Sequence, residues 1–128
     1  MDNYLSVLED SLKKKLQILD ELTDYTMQQQ ELLKVEELDY EAFDRLVDQK
    51  DPLIQRIMEL DQGFETVYDR IKEQLLGNKE QYAAQIRALQ SLIGELTDKS
   101  VKLQTMEQRN KSAIEQQFRN CLLYTSDA

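Results

Sequence analysis

Apolar side chains recur at alternating steps of three and four along most of this 128-residue chain. An α-helix turns once in about 3.6 residues, so such steps collect on one helical face, whereas a half-buried strand needs a period of two. A first row runs Leu5, Leu8, Leu12, Lys15, Leu19, Leu22, Thr26, Gln29, Leu33, widened by Leu16, Ile18, Tyr25, Leu32 and Val35. A second runs Phe43, Leu46, Lys50, Leu53, Ile57, Leu60, Phe64, Val67, Ile71, and only Lys50 breaks it. A third starts as Tyr82, Ile86, Leu89, Ile93, Leu96 and then turns mixed, through Ser100, Leu103, Glu107 and Asn110. Alternating spacing of this kind is the seam of a coiled coil or helical bundle.

The joints between the rows carry their own signals. In EELDYEAF, Asp39 is expected to cap the second helix, its carboxylate accepting from free N–H groups of the first turn. In LLGNKEQ, Gly77 is expected just past a helix end, where glycine enters the left-handed conformation readily. Asn78 would then cap the third helix, with Gln81 closing a capping box. These signals predict helices over about 2–36, 39–76 and 79–119, with turns near 37–38 and 77–78. Very short connections between helices of matched length imply antiparallel neighbours. The expected fold is all-α: three long antiparallel helices in an elongated bundle or coiled coil, one domain over 1–119 and a disordered tail over 120–128. Pro52, in QKDPLIQ, lies inside the second row. The row keeps phase from Leu46 through Lys50 to Leu53 and Ile57, which predicts a kinked but continuous helix, although Asp51–Pro52 would also start a new one. The most buried positions are expected at Phe43, Leu46, Leu60, Phe64, Val67, Leu89, Ile93 and Leu96.

Composition bounds the function. A net charge of -9 disfavours nucleic acid and anionic membrane surfaces, which call for concentrated Lys and Arg. Three glycines and one proline supply too few turns for a sheet protein of this length. No apolar run approaches the roughly 20 residues of a membrane span. MDNYLSVLED lacks the basic start of a secretory signal, and the single cysteine, Cys121, has no partner for an internal disulfide. A cytoplasmic setting is expected.

Catalytic chemistry has little to work with. The absence of histidine removes Ser-His-Asp and Cys-His systems, ordinary zinc sites and di-iron ligand pairs. No glycine-rich phosphate cradle and no twelve-residue calcium loop occurs. Glu36 with Glu37, or Asp20, Glu21 and Asp24, read as solvated helix faces rather than as acid–base pairs. The glutamines of MQQQ (27–30) read as helix surface and Cys121 as a bystander thiol. Neither an enzyme nor a cofactor is expected.

EAFDRLVDQKDPLIQRIMELDQGFETVYDRI, followed by LQSLIGELTDKSVKLQTMEQRNK, is similar to the FlgN-like flagellar export chaperones of Gram-positive bacteria. The similarity covers about residues 2–119. It rests on Phe43, Asp44, Gln49, Lys50, Leu53, Ile54, Leu60, Asp61, Gly63, Phe64 and Tyr68, and on Leu89, Gln90, Leu92, Ile93, Glu95, Leu96, Thr97, Gln104, Glu107, Arg109, Asn110 and Lys111. The resemblance implies a small cytoplasmic chaperone of the flagellar type III export system. It implies binding of an amphipathic helix near the C-terminus of hook-associated (hook–filament junction) proteins and delivery to the export apparatus. It also puts cargo on the chaperone's own C-terminal helix. Leu92, Ile93, Leu96, Val101, Leu103 and Met106 are the expected cargo-binding face, because the stripe there is wider than one seam requires and methionine repacks readily against different partners. The polar turn of the third seam then has two readings: a cargo helix completes it, or Ser100, Glu107 and Asn110 face solvent on a frayed helix. A scaffolding coiled coil or spectrin-like module is the alternative function, and paired seams would also suit a homodimer. The closing CLLYTSDA departs from the family pattern and resembles adapter read-through, so 120–128 is expected to be non-native.

Overall fold

The computed structural model describes residues 1–126, with side chains described as far as Asn120. It contains three helices: α1 (Asp2–Leu33), α2 (Tyr40–Gly77) and α3 (Ala83–Ser126). At 1.5 Å per residue they are about 50, 60 and 65 Å long. No strand occurs among the described residues. The chain is all-α, as its spacing predicts. α3 continues beyond the helix end expected near 119, as far as Ser126; of the expected non-native stretch 120–128, the side chains from 121 on and all of 127–128 lie outside the described residues.

The helices do not share one common core in equal parts. α1 packs against both others, while α2 and α3 make no close backbone approach to each other. Lys15 pairs with Asp61 (2.8 Å) and Lys50 with Gln29 (2.9 Å), so α1 and α2 run antiparallel. Asn110 Nδ2 donates to the Thr26 carbonyl (3.1 Å) and Gln117 Nε2 to the Leu33 carbonyl (3.2 Å), so α1 and α3 run in the same direction. α3 therefore lies beside α1 and not against α2, its neighbour in sequence.

The first row becomes the central seam. Leu5, Leu8, Leu12, Leu19, Leu22, Thr26 and Gln29 are all buried. They join Ile71 and Leu75 of α2 and Tyr82, Leu89 and Leu96 of α3 to form the core. Of the eight positions expected to be most buried, Leu46, Leu60, Leu89 and Leu96 are, whereas Phe43, Phe64 and Val67 are half-buried and Ile93 is exposed. The correction has one cause. The backbones of the outer helices approach only α1 closely, so each needs a narrower stripe than a helix with two close neighbours. Ile93 stands about 100° round α3 from Leu92, on a flank that α2 does not reach.

The helix ends correct the sequence reading in detail. Asp39 caps α2 as expected, its Oδ1 accepting from the Ala42 N–H at 3.1 Å. Leu38 is buried and stands just before that cap, with Phe43 four residues into the helix, the positions of a hydrophobic staple. α1 stops at Leu33, not at 36. Beyond it lie Glu36 and Glu37, whose charge is unfavourable at the negative end of a helix dipole. Gln117 satisfies the Leu33 carbonyl, one of the four that a helix end leaves open. Asn78 serves the end of α2 and not the start of α3: its N–H donates to the Leu75 carbonyl and its Nδ2 to the Gln74 carbonyl at 2.7 Å. Gly77 accordingly stays helical, and no glycine takes a positive φ. The turn 78–82 ends on Tyr82, whose burial anchors the entry to α3.

α2 is continuous through Pro52. The proline is exposed, so the backbone carbonyl it leaves without a donor is open to water. Gly63 and Gly94 lie inside helices with nothing within 4 Å of where a Cβ would stand. Replacing both by alanine is expected to raise stability by about 1–2 kcal/mol. Chemical denaturation of the double variant checks this; a loss would mean that one of these positions bends or meets a neighbour.

Candidate functional site

The two halves of the bundle differ. Toward the N-terminal end of α1 the contacts are leucines, Ile71, Leu75 and Tyr82. Toward its C-terminal end the seam positions of all three helices turn polar at one level. Lys50, the break in the second row, is 7% exposed. Its Nζ donates to Gln29 Oε1 and to Glu107 Oε1. Thr26 Oγ1 lies 3.0 Å from the same Glu107 oxygen and 2.7 Å from the Leu22 carbonyl, so its one proton has two acceptors in reach. Asn110 is buried and binds the Thr26 carbonyl. No side-chain polar atom buried among the described residues lacks a hydrogen-bond partner.

This layer answers the change of character in the third seam differently from either sequence reading. Glu107 and Asn110 do not simply face solvent: each is hydrogen-bonded within the bundle. They meet Thr26, Gln29 and Lys50, which occupy equivalent seam positions on the other helices. Each row taken alone shows an isolated lapse; the lapses coincide only once the helices are set side by side.

Next to the layer, the gap between α2 and α3 opens as a groove of about 1160 Å³. Leu22 and Gln29 of α1 form its floor. Phe43, Val47 and Ile54 line one wall, and Val101, Leu103 and Ile114 line the other. A smaller hollow of about 500 Å³ continues it at the far end, between Tyr40 and Phe118. Apolar side chains are left open along this path: Val47 is 39%, Ile54 45%, Val101 55% and Phe118 60% exposed.

The residues expected to bind cargo scatter over this geometry. Val101 and Leu103 line the groove. Leu96 is buried in the core against α1, and Leu92 packs on that core half-buried. Ile93 is exposed and Met106 half-buried, both away from the groove lining. Sequence reasoning misses the α2 wall as a binding surface. Its signal is the flank of the second row: Val47 follows Leu46 and Ile54 follows Leu53, each about 100° further round the helix, and the two stand one heptad apart.

An all-helical body with an open, apolar-walled groove and a polar floor is a helical-bundle binding protein. The FlgN protein family model matches residues 1–120, almost the whole chain, and the chain belongs to the FlgN family. FlgN proteins are flagellar export chaperones and form a chaperone family, not an enzyme family. No curated protein and no solved structure matches the chain. Among the described residues no helix is long and apolar enough to cross a membrane.

Proposed function

We propose that this chaperone works in the cytoplasm and holds an amphipathic helix of a hook-associated protein in the groove between α2 and α3, before passing it to the export apparatus. The observation that carries the reading is the missing close packing between those two helices, which among the described residues Lys50 and Glu107 alone bridge. α1 has neighbours on two sides, while α2 and α3 each leave an apolar flank open toward the same gap. A fourth helix laid there would cover Val47, Ile54, Val101 and Leu103 together, which is helix-in-groove recognition. Of the expected cargo-binding set, Val101 and Leu103 belong to this surface, and their counterparts come from α2. Burial on the partner rather than within the chain also explains why such side chains stay exposed.

The test is calorimetry with the C-terminal helical segment of a hook-associated protein. Val47→Ser with Ile54→Ser is expected to weaken binding tenfold or more, about 1.4 kcal/mol. Both side chains are exposed, so melting should change little. Unchanged affinity in the double variant would move the site off the groove.

A further inference from the structure

Glu107 has one oxygen in use and one to spare. Both of its bonds, from Lys50 and Thr26, go to Oε1, and among the described residues no donor meets Oε2. Its side chain is 44% exposed and lines the groove. The open carboxylate oxygen is therefore hydrated in the free protein, between the apolar side chains of the two walls, with Asp51, Arg109 and Lys111 also lining the groove. Leu103 and Ile54 lie on one side of this level. Phe43, Val47 and Ile114 lie on the other. Along α3, Leu103 is about 6 Å before Glu107 and Ile114 about 10 Å beyond it.

A helix that is apolar along its whole inner face would strip water from Oε2 and return no hydrogen bond, and such a loss is among the most unfavourable in an interface. The layer's own charges, Lys50 and Glu107, cancel. A cation set on Oε2 would lie beside the Lys50 ammonium already bonded to that carboxylate, and an anion would face Glu107 directly. We infer that the groove selects a partner helix carrying an uncharged hydrogen-bond donor, glutamine or asparagine, in the middle of its apolar stripe, set against Glu107. Apolar residues flank that donor by about one turn on one side and two on the other. The occupant is thus discriminated by what it must not leave unpaired, and not only by how much apolar area it covers. This inference rests on the helix-in-groove reading and narrows it.

Designed amphipathic peptides of about five helical turns, identical except for the central inward residue, test it by calorimetry on the full chain. With glutamine there, binding is expected to be at least tenfold tighter than with leucine and tighter still than with glutamate. Lys50→Met with Glu107→Leu, which removes both charges from this level of the groove, is expected to reverse the order of glutamine and leucine. A leucine peptide that binds the unaltered chain as tightly as the glutamine peptide overturns the inference and leaves the groove reading standing. If none of the peptides binds, both fall. The series on the unaltered chain decides without the double variant, should that variant fail to fold.

Discussion

Leu8→Ala is expected to lower the free energy of unfolding by about 3–5 kcal/mol, the largest loss from truncating any one side chain in the bundle. Leu8 is 0% exposed and lies in the central helix, within the cluster that joins α1 to Ile71 and Leu75 of α2 and to Tyr82 of α3. Removing its three outer carbons leaves a cavity that a rod of three helices closes only by shifting two interfaces together. Ile93→Ala is the matched comparison. Ile93 has the same volume class and a seam position in the sequence, yet it is exposed, so its loss should stay near the 0.5 kcal/mol usual for a surface change. Urea titration of both variants separates them. Equal losses would mean that α2 closes over α3 after all.

Breaking the polar layer from one side is expected to have the next largest effect. Glu107→Ala leaves the buried Lys50 ammonium with Gln29 alone and should cost about 2–3 kcal/mol. That is below the figure for a fully buried pair, because water reaches Glu107. Lys50→Met with Glu107→Leu removes both charges and should recover most of the loss, since an apolar pair of similar volume needs no desolvation of ions. Asp20→Ala gives the contrast: its pair with Lys99 lies on the surface and should be worth less than about 1 kcal/mol. If Glu107→Ala and Asp20→Ala destabilise equally, Lys50 is hydrated and the layer does not hold the three helices.

The layer also bears on how the chaperone keeps its shape. Leucines fasten the end of the bundle where α1 begins, and hydrogen bonds with one defined set of partners fasten the end that carries the groove. Apolar contacts tolerate sliding, whereas Lys50, Gln29, Thr26, Glu107 and Asn110 satisfy one another in one register only. A polar layer of this kind fixes the helices' relative level, and hence which residues of α2 and α3 face each other across the groove.

The sequence by itself determined the helices, since a period of three and four over this many residues permits no other element. It determined the buried row of α1 from Leu5 to Gln29, the Asp39 cap and the unbroken course of α2 through Pro52, because each depends on neighbours a few positions away. The tertiary structure alone decided that α1 is the middle helix. A row of leucines states that a face is buried but not how many helices bury it, and so the exposure of Ile93 and the half-burial of Phe43 and Phe64 could not be read. It alone decided the end of α2 at Asn78, where the side-chain amide satisfies the Gln74 carbonyl and Gly77 stays helical. It alone decided the groove and its polar floor. Thr26, Gln29, Lys50, Glu107 and Asn110 look like five separate lapses along the chain, and they become one hydrogen-bonded layer only at distances of 21 to 84 residues in sequence, which no local spacing encodes.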